Sequence, residues 1–493
     1  MGALVAAVTK KGRPAAPIVV AMLKELTHRG ADSHGVATPD SLIIAESLKE
    51  IKPEKLDSKV SLGHNLSRFS PRDRPQPVLG DDFALVFEGQ VYPPPRLSEA
   101  DEVAEMLQAS SRSAHTRRGK TDAIVRSLDG SYAFAVAYVD TLVAGRDSLG
   151  ITPLYYGENE KTFALASERK ALWSIGVKDT ESFPPGNIAA ITGRGVSFRP
   201  VKPLTQPASE VVDIEIAAAR LQSILLESTK KRVSSFAKLA VAFSGGIDSS
   251  TIAVLADKCG VEVTLFTVGL ENQPEIQFAE VAAEALGLPL HIQTYTVKDV
   301  ESVLPKILWL IEEPNVMNVG VALPLFWVAE SSSKRGFKIL LTGLGGDELF
   351  GGYHKYLTKY REHGATVLRN TLFRDVEMSH QTNLQRDNKV CTFHKMELRL
   401  PFMDYTVIDF ALGLPVDLNI NSAEDRLRKR VLRQTAHRLG IPTFIVNKVK
   451  KAIQYATGVD KALQRIAKEK GLGPQSYVKE TFSKIYPEAK HSG

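Results

Sequence analysis

Two hydrophobic patterns divide the chain. Over the first 198 residues, short apolar runs such as 3–8, 85–92 and 128–136 are separated by turns rich in glycine and proline. This pattern favours strands of antiparallel sheets. After residue 212, apolar runs of strand length alternate with stretches of helical period, which favours βαβ units and a parallel sheet. We therefore predict an α/β chain: an N-terminal domain of stacked antiparallel β-sheets with helices, then a doubly wound parallel sheet.

Three prolines among polar residues mark the boundary between these patterns. We predict a first domain at 1–198, a linker at 199–212 and a second domain at 213–465. Residues 466–493 are rich in lysine and glutamate, which indicates a surface helix and a frayed tail.

The most informative stretch is residues 239–251. An apolar run of strand length, 239–243, leads into a turn of small residues, and a helix is predicted from Thr251. Such a turn binds anions, because backbone N–H groups and the helix dipole point at the ligand. The predicted ligand-contacting residues of the turn are Ser244, Gly245, Gly246, Asp248, Ser249 and Ser250. A carboxylate beside a phosphate implies a cation between them, so Asp248 predicts a Mg²⁺ site. The alternative is a turn that binds nothing.

A second glycine-rich run, residues 342–353, also follows a buried strand. Carboxyl ends of parallel strands lie at one edge of a sheet, so Asp347 is predicted to reach the crevice of Asp248 and share its Mg²⁺. Gly343 and Gly345 would allow the backbone to approach the ligand. Alternatively, Asp347 only caps the next helix.

Composition narrows the functional classes. The net charge of +6 is small for 493 residues and gives no argument for nucleic-acid binding. No apolar run approaches the roughly 20 residues of a membrane span, so no membrane association is expected. Cys259 and Cys391 are too few for a disulfide framework or a zinc cluster, which favours the reducing cytoplasm.

Together, these motifs resemble a known family. The Ser-Gly-Gly-Ile-Asp-Ser-Ser turn is similar to the PP-loop of ATP pyrophosphatases. With Gly-Asp-Glu-Leu-Phe-Gly-Gly-Tyr, the run at 397–404 and Lys-Arg-Val-Leu-Arg at 429–433, it resembles the glutamine-dependent asparagine synthetases, to which β-lactam synthetase is related. The resemblance implies ATP and Mg²⁺ as cofactors and an AMP-forming amide ligase. It would convert aspartate to asparagine through a β-aspartyl-adenylate, here with free ammonia.

The resemblance also suggests further site residues. Lys451 and Glu397 would be catalytic, and Val268 would contact the nucleotide. Two alternatives stay open: Glu397 and Arg399 form an internal pair, and the lysines of 448–451 form a solvated face. The expected partners are small molecules: ATP, aspartate or a similar acid, and ammonia. A homodimer is left open.

The first 195 residues resemble the class II glutamine amidotransferase domain, including Arg-Asp-Ser-Leu-Gly-Ile-Thr-Pro-Leu-Tyr from Arg146. The family's N-terminal cysteine nucleophile is replaced by Gly2. Its carboxylate-holding arginine is Asn65 here, and its oxyanion-binding asparagine is Glu88. Three losses at three roles predict an inactive domain kept as a scaffold.

The second half departs from the family at one position. Leu344 stands where the family has a glutamate that serves as base during attack by the amine, and leucine cannot take a proton. Two alternatives therefore accompany the main hypothesis: a related adenylating ligase for a different carboxylate or amine, and a non-catalytic regulatory relative that binds ATP.

Overall fold

The computed structural model of the chain describes residues 2–109 and 117–487. Within these residues the strands β1 to β18 are, in chain order, Gly2–Thr9, Ser33–Ala37, Leu42–Ala45, Val60–Leu66, Val78–Leu79, Ala84–Val91, Gly130–Ala137, Leu142–Arg146, Tyr155–Glu158, Thr162–Ala166, Thr180–Ser182, Asn187–Thr192, Gly195–Pro200, Lys238–Ala242, Glu262–Leu270, Leu290–Tyr295, Ile339–Leu341 and Glu397–Arg399.

The α-helices α1 to α18 of the same residues are Ala16–Glu25, Glu99–Ala109, Arg117–Ser127, Arg169–Trp173, Ile214–Val233, Ile247–Lys258, Pro274–Leu286, Val297–Ile311, Val316–Ser333, Gly346–Leu349, His354–Glu377, Gln385–Phe393, Tyr405–Gly413, Arg430–Arg438, Thr443–Val446, Ile453–Ala456, Val459–Glu469 and Pro474–Ile485. A π-helical turn, His380–Leu384, precedes α12. In the part of the chain that the structure describes, none of these helices is long and apolar enough to cross a membrane.

The chain folds into two compact units. Unit 1 contains residues 2–204 and His380–Lys395, with Tyr486 and Pro487 attached, and unit 2 contains Thr205–Ser379 and Met396–Ile485. The sequence placed all of 213–465 in the second domain, so it missed the segment that returns to unit 1.

Polar contacts hold this returning segment in unit 1. A hydrogen bond of 2.5 Å joins the Tyr155 hydroxyl to the side-chain amide of Gln385. The ammonium of Lys389 lies 4.5 Å from the centre of the Tyr155 ring. Such contacts join residues more than 200 positions apart, and a local sequence pattern does not record them.

Unit 1 contains two antiparallel sheets. In the described residues their strand orders are β11-β9-β10-β1-β4-β2-β3 and β13-β12-β8-β7-β6-β5. All residues of β1 are buried because both of its faces are covered. Ala3, Val5 and Ala7 pack in a cluster with residues of α1, whereas Leu4 and Ala6 pack in a cluster with residues of β6 and β7. The predicted stacked antiparallel sheets are confirmed.

Unit 2 is built on a parallel sheet with the strand order β16-β15-β14-β17-β18. The order runs outward in both directions from β14, as the predicted doubly wound fold requires. In such sheets, ligands bind beyond the carboxyl ends of the strands on either side of the reversal. Here these strands are β14 and β17, and the two glycine-rich runs follow them directly. The sequence had not predicted β16 or β18, the two edge strands.

Helix α6 begins at Ile247, four residues before the predicted start. Asp248, Ser249 and Ser250 therefore lie in its first turn and not in the preceding loop. Small polar residues resemble a loop in a sequence, but they are also favourable at a helix start, where the helix dipole stabilises negative charge.

The C-terminal region differs from the predicted surface helix and tail. Helix α17 extends to Glu469 and α18 follows at Pro474–Ile485. Tyr477, Val478 and Phe482 of α18 are buried, so this helix contributes to the core of unit 2. The predicted tail beyond Pro487 lies outside the described residues.

Candidate functional site

The turn between β14 and α6 has the geometry of an anion-binding loop. Gly245 has a φ of +64°, and a Cβ there would lie 2.9 Å from the ring of Phe278, so glycine is required. Ser249 Oγ donates to the Gly246 carbonyl at 3.2 Å and accepts from the Ser244 N–H at 3.3 Å. These bonds hold the turn at the N-terminus of a 12-residue helix.

Two further features of this turn point to a polar ligand. Ser250 is fully buried, and in the described residues no hydrogen-bond partner lies at its Oγ. Lys448 Nζ donates to the Ser244 carbonyl at 3.0 Å, which places a cation beside the turn. A helix N-terminus with spare hydroxyl donors and a nearby ammonium suits phosphate oxygens.

The second glycine-rich run packs directly against Asp248. A Cβ on Gly343 would lie 2.7 Å from Asp248 Cβ, and a Cβ on Gly346 would lie 2.7 Å from Asp248 Oδ1. Gly345 has a φ of +99° and lies against Met403. Gly343 is thus required for packing between the two runs and Gly345 for packing against Met403, and their predicted contact with the nucleotide stays a prediction.

Asp347 and Asp248 converge on one ammonium group. Lys429 Nζ lies 2.7 and 2.6 Å from the two carboxylate oxygens of Asp248 and 2.6 Å from Asp347 Oδ1. The alternative that Asp347 only caps a helix fails, because the N-cap of α10 is Gly345 and Asp347 lies inside the helix, where it contacts Lys429. The structure thus brings both predicted metal ligands to a single cation position.

A second lysine contacts one of these aspartates. Lys450 Nζ lies 2.5 Å from Asp347 Oδ2. Burial raises the pKa of Asp347, but the ammonium groups of Lys429 and Lys450 outweigh burial and hold its pKa well below the usual range. The carboxylate is therefore ionised at neutral pH and can serve as a cation ligand.

The three lysines at positions 448, 450 and 451 do not form one solvated face. Lys451, the residue predicted to be catalytic, pairs with Glu275 at 2.6 Å, whereas Lys450 contacts Asp347. Burial lowers the pKa of Lys448 to about 8, and its Nζ lies 3.7 Å from the centre of the Phe278 ring. The catalytic role of Lys451 stays a prediction, and Lys450 is the lysine of this run that contacts a predicted metal ligand.

Glu397 lies away from the two aspartates. It pairs with Ile339, the first residue of β17, which puts it at the amino end of the sheet. Its carboxylate accepts a hydrogen bond from Arg399 Nε, the internal pair that the sequence left open. Val268 is buried inside β15 and pairs with Gln293. The structure shows no contact of Glu397 or Val268 with the aspartates, and their predicted roles stay predictions.

Sequence reasoning assigned no role to Lys429 or to Arg433. Both belong to the run at 429–433 that supported the family resemblance. Arg428 and Lys429 have φ values of +52° and +55°, a left-handed conformation that is costly for non-glycine residues and common at functional sites. Arg433 Nε donates to the Arg428 carbonyl at 2.7 Å and holds this turn. No pattern in one sequence reveals such a turn.

Unit 1 has a separate buried polar pocket around Gly2. The Gly2 N–H donates to Glu88 Oε1 at 2.8 Å, and its carbonyl accepts from Arg29 Nε at 2.8 Å. A Cβ at Gly2 would lie 2.1 Å from the Asn65 carbonyl oxygen and 2.8 Å from the His64 ring. A side chain at position 2 therefore does not fit unless its neighbours shift.

Glu88 is a buried carboxylate in this pocket. Its Oε2 lies 3.3 Å from His64 Nε2. Burial raises its pKa, but the hydrogen bond with His64 and nearby positive charge, including Arg29, lower the pKa to about 2. A carboxylate accepts hydrogen bonds and carries negative charge, so it cannot stabilise an oxyanion.

Asn65 is committed to hydrogen bonds within unit 1. Its Oδ1 lies 2.7 Å from His34 Nδ1, and its Nδ2 donates to the Leu23 carbonyl at 2.8 Å. Sequence reasoning gave no role to the neighbouring network at Glu168, where Arg29 NH1 and His28 Nε2 each lie 3.0 Å from a carboxylate oxygen. Arg29 therefore links Gly2 to buried ion pairs, which favours a structural role for this pocket.

Two family models match the chain. The asparagine synthase family model matches residues 220–367 and 358–484, more than half of the chain. The glutamine amidotransferase domain model matches residues 64–174.

Two relatives and one solved structure are among the proteins that are similar to the chain. A protein of Methanocaldococcus jannaschii, provisionally named a glutamine-hydrolyzing asparagine synthetase, is 29% identical over 94% of this chain and 95% of its own length. The glutamine-hydrolyzing asparagine synthetase of Asparagus officinalis is 28% identical over 84% of this chain and 70% of its own. A structure of the allosteric regulatory enzyme of purine biosynthesis is 17% identical, covers 55% of this chain and 66% of its own, and has a TM-score of only 0.36.

The pocket of unit 1 generates a prediction about stability. We expect Glu88→Gln to lower the free energy of unfolding by about 3 kcal/mol at pH 7, because removing one partner leaves the buried positive groups uncompensated. The folded pKa of Glu88, about 2, lies below the ordinary value of 4.5, so the ionised carboxylate stabilises the fold above pH 4.5. The difference between wild type and variant should shrink as the pH falls from 4.5 toward 2.

Calorimetric unfolding between pH 7 and pH 3 measures this difference. Glu54→Gln, at an exposed position, is the control and should change stability little at any pH. A difference for Glu88→Gln that grows as the pH falls would contradict the prediction.

Proposed function

Because the chain belongs to the asparagine synthase family, we propose that it is an ATP-dependent, AMP-forming amide ligase that converts aspartate to asparagine with free ammonia. The observation that carries the proposal is the convergence of Asp248 and Asp347 on one cation position beyond β14 and β17. A nucleotide bound at the α6 turn would lie at this position, where doubly wound sheets bind their ligands.

The first step is formation of β-aspartyl-adenylate. An oxygen of the substrate carboxylate attacks the α-phosphorus of ATP. The bond from that phosphorus to the oxygen bridging to the β-phosphorus breaks, and pyrophosphate leaves with the electron pair. The α6 turn and Lys429 and Lys450 place N–H donors and positive charge where the pyrophosphate gains negative charge.

The two aspartates fit a Mg²⁺ ion that travels with the nucleotide. Their carboxylates point at a position that already holds a cation, the ammonium of Lys429. In the described residues, no three His, Cys, Asp or Glu side chains come together as a metal site. Mg²⁺ typically uses one or two carboxylates and completes its shell with phosphate oxygens and water. When bound, the ion would neutralise charge on the leaving pyrophosphate.

In the second step, ammonia attacks the acyl carbon of the adenylate. The bond from the acyl carbon to the phosphate oxygen breaks, AMP leaves, and the new amide nitrogen loses a proton to solvent. Leu344 stands at the position of the family's base and supplies no proton acceptor. The attacking species must therefore be unprotonated ammonia, which favours a higher pH.

A different acid or amine is the second candidate function, and Leu344 is the observation that favours it. Its side chain is partly buried and apolar, and an apolar contact would suit a less polar substrate than aspartate.

The unit 1 pocket supports ammonia as the nitrogen source. Gly2 carries no nucleophile, Glu88 is an anion at the position of an oxyanion donor, and the side chain of Asn65 is already hydrogen-bonded. Relatives are named for glutamine hydrolysis, so this chain would differ from them in its nitrogen donor.

We expect no glutamate release from glutamine by the wild-type protein, and none by Gly2→Cys. The cysteine supplies a nucleophile, but there is no room for its Cβ. Glu88 and Asn65 also still stand in place of the family's oxyanion-binding asparagine and carboxylate-holding arginine. We also expect Gly2→Cys to lose roughly 1–3 kcal/mol of stability through overpacking. Gly193→Cys is the matched control and should lose little, because a Cβ there would lie 3.4 Å from the nearest neighbouring atom. Glutamate release by the wild type would contradict the proposal of ammonia.

We expect Asp248→Asn and Asp347→Asn each to reduce ATP–pyrophosphate exchange at least about 100-fold, because each change removes a cation ligand at the leaving group. Exchange of labelled pyrophosphate into ATP in the presence of aspartate measures the adenylation step alone. Asp257→Asn, at an exposed position near the end of α6, is the control and should exchange normally. Near-normal exchange in either site variant, with a native circular dichroism spectrum, would refute the assigned role.

We expect Leu344→Glu to raise the rate of amide formation near neutral pH and to leave pyrophosphate exchange nearly unchanged. A general base contributes about 10²–10⁴-fold, and the wild-type rate should increase with pH as more ammonia is unprotonated. Leu344→Gln has a similar shape without the base and should not raise the rate. The measurement is the pH profile of asparagine formation from aspartate, ATP and ammonium for the three proteins.

Two outcomes would change the assignment. A wild type that forms AMP with another acid, but never makes asparagine, would favour the second candidate function. A protein that binds ATP and exchanges no pyrophosphate with any acid would indicate the non-catalytic relative.

A further inference from the structure

Lys429 occupies the place that a metal ion would need between Asp248 and Asp347. Its Nζ is within 2.7 Å of three carboxylate oxygens, and its side chain is only 2% exposed. An ammonium held by two carboxylates in a buried position offsets part of their negative charge in the absence of any ligand.

The surrounding backbone holds this lysine in place. A Cβ on Gly352 would lie 2.0 Å from Asp347 Oδ1 and 2.2 Å from Lys429 Cε, so the lysine stem runs against the backbone of this glycine. The left-handed turn at Arg428 and Lys429 is tied by the hydrogen bond from Arg433 Nε. The lysine is thus positioned by the fold and is not a mobile surface side chain.

Charge at the site is balanced without a metal. Two carboxylates face two ammonium groups, those of Lys429 and Lys450. A bare divalent cation entering here would add two positive charges beside both lysines, which Coulomb repulsion opposes. It would also find only two carboxylate residues as ligands, because no third acidic, histidine or cysteine side chain of the described residues joins them.

Binding of a nucleotide changes the charge balance so that a divalent cation is favoured. A triphosphate brings several negative charges, which attract the lysine ammoniums away from the carboxylates and supply the missing oxygen ligands. The metal and the nucleotide then stabilise each other, since each offsets charge that the other leaves uncompensated.

We infer that Lys429 is a resident counter-cation that keeps bare divalent metal off Asp248 and Asp347, so that metal enters this site only together with the nucleotide. The inference rests on the proposed function, because it assumes that the site takes a nucleotide. It gives Lys429 a role in the order in which the metal and the nucleotide bind.

The wild-type protein provides the first test. Equilibrium dialysis with Mn²⁺ as a spectroscopic substitute for Mg²⁺ measures the metal that the full chain retains. We expect no specific retention of Mn²⁺ by the protein alone, and one Mn²⁺ per chain when α,β-methylene ATP is added. This analogue keeps all three phosphates and cannot be cleaved between the α- and β-phosphorus atoms. Tight binding of Mn²⁺ to the nucleotide-free wild type would overturn the inference.

A variant tests the lysine directly. We expect Lys429→Met to bind Mn²⁺ without nucleotide at least about tenfold more tightly than the wild type, because the opposing charge is removed. Mn²⁺ alone should then raise the melting temperature of Lys429→Met and not that of the wild type. Lys470→Met removes the same charge from a lysine that contacts Glu301, and its Mn²⁺ binding and melting temperature should match those of the wild type.

The outcomes separate this inference from the proposed function. Lys429→Met that folds only with Mn²⁺ present would support the inference, because the metal would then replace the missing cation. A folded Lys429→Met that binds bare Mn²⁺ no better than the wild type would overturn it, and pyrophosphate exchange by the wild type would still support the ligase. A wild type that retains neither Mn²⁺ nor the Mn²⁺ complex of the analogue would overturn both.

Discussion

The candidate site of unit 2 depends on two carboxylates, those of Asp248 and Asp347, that share the ammonium of one lysine. Asp248 lies in the first turn of α6 and Asp347 in the first turn of α10, and both helices start beyond strands on either side of the sheet's reversal. Both carboxylates contact the same ammonium group, so without Lys429 they would repel each other. The glycines at 343 and 346 allow the second run to touch Asp248, because any Cβ there would meet that residue below 3 Å. Glycine positions, helix starts and the lysine therefore form one arrangement.

Unit 1 also contains buried charged groups that are compensated by neighbours of opposite charge. Glu88, Arg29 and Glu168 are nearly inaccessible, and each is compensated by a neighbour of opposite charge. Buried ion pairs contribute little net stability, although breaking one is costly. The pocket around Gly2 is thus well suited to hold the start of β1 and poorly suited to activate a nucleophile. A fold that resembles an amidotransferase can persist after its catalytic groups have been replaced, because the fold and the site depend on different residues.

The two pockets differ in whether they leave polar groups and positive charge available to a ligand. Around Gly2, the N–H and carbonyl of the residue are both bonded and a side chain is excluded. Around the α6 turn, Ser250 Oγ is buried without a partner among the described residues, and lysines surround the two carboxylates. Unused donors and positive charge at the carboxyl ends of parallel strands favour an anionic ligand. Buried ion pairs around a residue with no room for a side chain favour a structural role.

The sequence by itself determined the fold class, the two motif-bearing turns and the family, because these depend on local periodicity and on residues that are close along the chain. It also located Asp248, Asp347 and the replaced residues Gly2, Asn65 and Glu88. Only the tertiary structure showed that Lys429 lies between the aspartates, that Lys450 contacts Asp347 while Lys451 pairs with Glu275, and that residues 380–395 belong to unit 1. The physical reason is that these contacts join side chains 80 to 230 positions apart through strand order and through a left-handed turn. Neither feature leaves a periodic or compositional signal in one sequence.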